Sequence, residues 1–237
     1  MTNSVEATNK TNDKKGIPLS SYLRNVGQVA YGCMGLGGGW NDNPVVAADI
    51  AQTRNVIDTA LESGINLFDH ADIYTFSKAE QAFGRALQQA PELRDQMFIQ
   101  SKCGIRFEAE GNVGRYDFSA DWVGQSVEGI LNRLNTEKLD VLLLHRPDPL
   151  MELDELARTL ENLKAQGQVD FFGVSNMNSH QIQYLQSALG QPIVANQIEM
   201  SLAKLDWLND GVMINSQDHH QSDFASGTLE HCQMNNI

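Results

Sequence analysis

Asp69, His70, Asp72 and Tyr74 fall within six consecutive positions, directly after the short apolar run Ile65-Asn66-Leu67-Phe68 and its preceding Gly64. The run suits a buried strand. A buried strand that opens onto an acid, an imidazole and a phenol fits an active site at the end of a sheet or barrel strand. Taken alone, the segment reads equally well as a polar turn. Four further apolar runs end in the same manner, on Lys102, on His145, on Ser175-Asn176 and on Gln197. Strand C-termini of a parallel α/β protein converge on one face, so these groups are expected to meet in space.

Together they suit proton transfer to a carbonyl oxygen. An unperturbed phenol ionises near pH ~10. A Lys102 ammonium beside Tyr74 is expected to lower that value and make the phenol a usable acid at neutral pH. Asp69 would hold Lys102 charged and in place, and His145 would donate a hydrogen bond to the substrate oxygen as negative charge develops. Ser175, Asn176 and Gln197 suit a planar ligand bearing a carboxamide, because hydroxyl and amide groups satisfy both its donors and its acceptor.

The intervening sequence alternates between such runs and helical periodicity. Val46, Ile50, Val56, Ile57, Ala60 and Leu61 recur at helical spacing and stop at Gly64. Ala79, Ala82, Phe83, Ala86 and Leu87 mark a second amphipathic helix. Val123, Val127, Ile130, Leu131 and Leu134 mark a third, with Ser119 as its N-cap. A fourth carries Leu153, Leu156, Ala157, Leu160 and Leu163 and ends at Gly167; a fifth carries Ile182, Leu185 and Leu189. The strands begin at Val29 and continue with residues 65–68, 97–99, 139–144, 169–174 and 193–195. Pro147 prevents further central pairing after His145. Strands and helices in alternation mean a parallel sheet covered by helices, apolar along its strands because both faces are buried.

Residues 29–40 read VAYGCMGLGGGW, a strand followed by a glycine cluster. The pattern is not a GxGxxG opening a helix, so a Rossmann fingerprint is absent. Gly38 and Gly39 permit either close backbone approach to a ligand or a tight turn, and Trp40 either floors a pocket or packs. These three are candidate cofactor contacts. After Gln197 the alternation breaks down. Asp218, His219, His220 and Asp223 crowd together there, but adjacent histidines point in different directions on a strand or a helix, which makes them a weak metal site. Thr228 to Ile237 has the character of a further helix.

Length and composition bound the rest. A chain of 237 residues that is 41% hydrophobic supports one large α/β domain or two small ones. Residues 1–16 are polar, lack the apolar core of a secretory signal, and read as a disordered tail. No apolar run approaches a membrane span. Three well-separated cysteines without a CxxC fit a reduced cytoplasm and argue against zinc. A net charge of -13 argues against nucleic acid or anionic membrane as partners, and offers no evident basic site for a phosphate-bearing cofactor.

The ordered motifs resemble the aldo-keto reductase family. FDHADIY resembles its Asp-x-Ala-x-x-Tyr signature, Ser101-Lys102 its lysine strand, LLLHRP its histidine strand and GVSN its nicotinamide contact, in the family's order from about residue 22 to residue 202. The resemblance implies a (β/α)8 barrel, NADPH as cofactor and reduction of a small-molecule aldehyde or ketone. It implies a catalytic tetrad of Asp69, Tyr74, Lys102 and His145, nicotinamide contacts at Ser175, Asn176 and Gln197, and no metal. His70 stands where many members carry Thr, and Thr75 where many carry Gly. Only about six βα units are expected in residues 17–237, an incomplete barrel of one domain. The missing units hold the cofactor's phosphates in this family, so weak NADPH binding is expected of the chain by itself. An impaired remnant or a regulatory subunit of the same fold is the alternative. A metal-dependent hydrolase using Asp69, His70, Asp72 and His145 is disfavoured, because HAD lacks the HxH pair with which such sites open. Substrate preference and oligomeric state are not legible.

Overall fold

A computed structural model describes residues 16–109, 111, 113–212 and 227–237. The tail expected at residues 1–16 therefore lies, apart from Gly16, outside the described residues, as does the Asp218–Asp223 cluster. The chain begins with a 3-10 turn at Pro18–Ser21 and continues through β1 (Ala30–Gly32), α1 (Ala47–Glu62), β2 (Leu67–Asp69), α2 (Lys78–Gln89) and β3 (Phe98–Cys103). A small hairpin of β4 (Ile105–Arg106) and β5 (Arg115–Tyr116) precedes α3 (Ala120–Leu134), β6 (Leu139–Leu144) and α4 (Leu153–Ala165). β7 (Val169–Ser175), α5 (Ser179–Gln186), β8 (Ile193–Gln197), α6 (Asp206–Val212) and α7 (Thr228–Asn235) complete it.

Six strands form one parallel sheet in the order β1-β2-β3-β6-β7-β8. The sheet curls. Four strand steps separate β2 from β8, about 19 Å along a flat sheet at ~4.8 Å per step. Yet the Gln197 amide at the end of β8 donates to Asp69 Oδ2 at the end of β2, at 3.0 Å. Curling gives the sheet an inner and an outer face. Val141 and Leu143 of β6 point inward with Leu67 and Val194, and Leu19, Leu23 and Val26 of the N-terminal segment close that interior. Leu142 and Leu144 of the same strand face outward to the helices. All six residues of β6 are buried, as a strand covered on both faces requires. Six parallel strands with helices outside fit an incomplete (β/α)8 barrel.

Local signals act as expected at most boundaries. The Ser119 hydroxyl accepts from the Trp122 N–H and caps α3. Asn178 and Gln181 satisfy each other's backbone N–H groups as a capping box on α5. Two elements depart from the sequence reading. The glycine-containing loop after β3 holds the β4–β5 hairpin, whose two-residue strands are too short for any period to register. Helix α5 ends at Gln186 instead of reaching Leu189, because the Gln186 side chain turns back to bond the Leu189 and Gln191 carbonyls. Among the described residues no helix is long and apolar enough to cross a membrane.

Candidate active site

β2 and β3 lie side by side, with Asp69 paired in register to Gln100. Side chains on a strand share a face at every second residue, so Gln100 and Lys102 face the same way, into the curl. Lys102 is 1% exposed. Its ammonium donates at 2.7 Å to Asp69 Oδ1, at 2.8 Å to the His70 carbonyl and at 2.8 Å to Tyr74 Oη. An ammonium has three N–H donors and no acceptor, so all three are committed. Gln100 Nε2 is a second donor to Asp69 Oδ1 at 2.7 Å, and Gln197 binds Oδ2. The sequence reading did not include Gln100, although its period-two spacing from Lys102 places it on the same face.

Burial lowers the Lys102 pKa, and the charge of Asp69 opposes that shift. Tyr74 departs from expectation. Its pKa is pushed up, chiefly by burial and then by the charges of Asp69 and Cys33, instead of being pulled down by Lys102. The phenol is therefore neutral. Because Lys102 donates to Tyr74 Oη, the phenolic proton is not engaged with the lysine. The His145 ring stands edge-on to the Tyr74 ring at 6.0 Å between centroids. Burial and the nearby Lys102 charge hold His145 neutral, with its pKa lowered to about 3. Its Nδ1 is buried without a hydrogen bond.

Ser175, Asn176 and Gln197 form a second group beside the first. The Ser175 hydroxyl donates to the Gln197 carbonyl at 3.0 Å, and the Asn176 amide donates to Ser175 Oγ at 2.8 Å. Asn176 adopts a left-handed backbone with φ 56°, which turns its amide back over the end of β7. Gln197 Oε1 is buried without a partner. This leaves a free acceptor beside a hydroxyl and an amide, the donor and acceptor set that a carboxamide needs.

Gly38, Gly39 and Trp40 sit elsewhere, on the side of α1 and α2. Asp49 is nearest to Gly38 and Asn41 to Gly39, while neighbouring Gly37 presses against the Lys78 carbonyl. The Trp40 ring stacks edge-on against Phe76 at 5.3 Å, and Phe76 against Phe107 at 5.7 Å. The structure brings Trp40, through Phe76, to the turn that follows Tyr74. That turn is strained. Thr75, Phe76 and Ser77 all have positive φ, at 47°, 55° and 67°. Thr75 Oγ1 bonding to the Leu36 carbonyl and Ser77 Oγ bonding to the Asp72 carbonyl hold it in place.

The four groups of the hydrolase alternative do not converge. His70 is fully buried with its ring against Phe83 at 4.5 Å between centroids, and Asp72 interacts with Ser126 and Arg133. Among the described residues no three His, Cys, Asp or Glu side chains cluster as a metal site.

A curled parallel sheet that gathers an acid–lysine pair, a phenol and an imidazole at its strand C-termini defines a (β/α)-barrel protein with its polar site on the face where barrel enzymes carry theirs. The aldo/keto reductase family model matches residues 28–237, and the chain belongs to that family. Oxidoreductase YdhF of Escherichia coli (strain K12) is 43% identical over 68% of this chain and 55% of its own length. The 6-dehydroglucose reductase of Agrobacterium fabrum is 37% identical over 90% of this chain and 71% of its own. An aldo-keto reductase from Klebsiella pneumoniae, solved in complex with NADPH, has a TM-score of 0.65 at 22% identity, covering 90% of this chain and 62% of that one. The chain spans little more than half the length of curated relatives such as YdhF.

Proposed function

We propose that this chain carries the proton-transfer centre of an NADPH-dependent reductase that converts an aldehyde or ketone to an alcohol, with Tyr74 as the proton donor. The observation that carries the reading is the three-way commitment of Lys102 to Asp69, the His70 carbonyl and Tyr74 Oη. It leaves the Tyr74 proton available to a substrate oxygen lying between the phenol and His145.

Ser175, Asn176 and Gln197 would hold the nicotinamide carboxamide, and the unpartnered Gln197 Oε1 supports that fit. The NADPH-bound Klebsiella relative supports the choice of cofactor. NADPH, if held there, would supply the hydride. As the carbonyl oxygen gains negative charge, neutral His145 donates a hydrogen bond to it from a ring N–H. Tyr74 then gives up its proton. A neutral phenol suits this step, because the developing alkoxide is a far stronger base than a phenolate. Lys102 stabilises the phenolate as it forms, and Asp69 keeps Lys102 charged at a position that burial would otherwise neutralise. Trp40, Phe76 and Phe107 form an aromatic ridge beside the Tyr74 turn and would contact the substrate.

The test is NADPH consumption against a panel of aldehydes and ketones, by the chain itself and by the chain extended with the matching C-terminal segment of YdhF. In the extended form, Tyr74→Phe should lower kcat by about 10²–10⁴-fold and leave NADPH binding intact. A variant that keeps most of the rate would remove Tyr74 from the donor role.

A further inference from the structure

A cavity of about 450 Å³ opens between the N-terminal end of α2, helix α3 and the β4–β5 hairpin, and none of Asp69, Tyr74, Lys102 and His145 lines it. Its volume is that of a small-molecule site. Ile73, Phe76, Ile105 and Phe107 supply apolar wall, while Asp72, Trp122 and Ser126 supply polar atoms.

Two of those polar atoms are unused. Asp72 is 8% exposed and its Oδ1 makes no hydrogen bond; Trp122 Nε1 is buried and likewise makes none. Buried polar groups without partners cost free energy, so an occupant that satisfied both would recover it. The cations at the rim are already committed. Arg133 pairs with the fully buried Glu80 at 2.8 Å, and Arg106 pairs with Asp117 while stacking over the Trp122 ring at 4.1 Å. An anionic ligand therefore finds no free positive charge. When Asp72 is ionised, the occupant must donate to it and accept from the Trp122 N–H. A hydroxyl does both, whereas an ammonium has no acceptor and a carboxylate no donor. The aromatic walls favour a flat apolar ring on the remaining surface.

We propose that this cavity is a second small-molecule site, separate from the carbonyl-reduction centre, which takes a hydroxylated aromatic ring. It shares a wall with that centre, since Phe76 follows Tyr74 by two residues and stacks on both Phe107 and Trp40.

Resorcinol is a suitable probe, being uncharged and carrying no carbonyl or oxidisable carbinol. Titrated into the intact chain at pH 8, above the Asp72 pKa of about 7, and followed by the three tryptophan indole N–H signals in NMR, with Trp122→Phe identifying the relevant one, it should shift the Trp122 signal saturably. Its apparent affinity should exceed those of toluene, benzylamine and benzoate at least tenfold. Tyr74→Phe should leave that affinity unchanged, and Asp72→Ala and Ser126→Ala should each weaken it several-fold. The wild-type ranking of the four probes stands whether or not either variant folds. Equal or tighter binding of toluene, benzylamine or benzoate would overturn the proposal. So would resorcinol shifts that never saturate, or that are confined to Trp40.

Discussion

Lys102→Met isolates the physical logic of the site from its chemistry. The substitution keeps the length and volume of the side chain but removes an ammonium that is 2% exposed from beside an Asp69 carboxylate that is 8% exposed. Asp69 retains the Gln100 and Gln197 amides but loses its salt bridge to Lys102. Removing one member of a buried ion pair costs about 3–5 kcal/mol, because the other is left uncompensated. At about 2–4 °C per kcal/mol for a chain of this size, Tm should fall by about 6–20 °C. Replacing both partners removes the stranded charge. Asp69→Asn combined with Lys102→Met should therefore be more stable than the sum of the single variants implies, by about 1–3 kcal/mol. Urea unfolding, with the slope checked for constancy between variants, measures all three. A Lys102→Met loss below about 1 kcal/mol, or strict additivity in the double variant, would refute the argument that Asp69 depends on Lys102.

Other consequences concern groups around the site. His70 is buried with its pKa lowered to about 3, so between about pH 6.5 and that value the unfolded chain binds a proton the folded chain does not. Stability should fall as pH drops through this window, and His70→Leu should flatten the slope of the unfolding midpoint against pH. Asp72 behaves oppositely, with burial raising its pKa to about 7. The folded state holds a proton that the unfolded chain releases above about pH 4, so stability is lost as pH rises through 7. Asp72→Asn should raise the midpoint at pH 8 and do little at pH 4, and an equal effect at both would contradict the assignment. Gly84 of α2 packs directly on α3, and a Cβ there would lie 1.9 Å from the Arg133 carbonyl oxygen. Gly84→Ala should cost about 1–3 kcal/mol in a denaturant melt by forcing the helices apart, and a neutral result would mean that the two helices can separate freely.

What could be read from the residues was mainly what has a period or a strand-end position. Lys102, His145 and Ser175 lie at or just past the ends of apolar runs, and the parallel sheet gathers them as the alternation implies. Short or bent features left no trace. The β4–β5 hairpin has two residues per strand, and the turn at Thr75–Ser77 uses left-handed backbone in residues that rarely adopt it. Gly38 and Gly39 illustrate a different limit. A glycine run marks close approach without saying to what, and here the tight approach is that of neighbouring Gly37 to Lys78 at the start of α2, while Gly39 meets only Asn41 of its own loop. The sign of the Tyr74 shift also escaped the sequence. Adjacency to Lys102 was legible, but the degree of burial and the position of Cys33 beside Asp69 were not.

The central claim, that Tyr74 completes a hydride reduction at this centre, is tested most directly by following the label. NADPH carrying deuterium at its transferable position would be supplied with an aldehyde to the extended chain, and the alcohol product analysed by mass spectrometry. The account predicts deuterated alcohol from the wild-type centre and its near-complete loss in Tyr74→Phe with NADPH still bound. Deuterated alcohol formed at an undiminished rate without the phenol would contradict it.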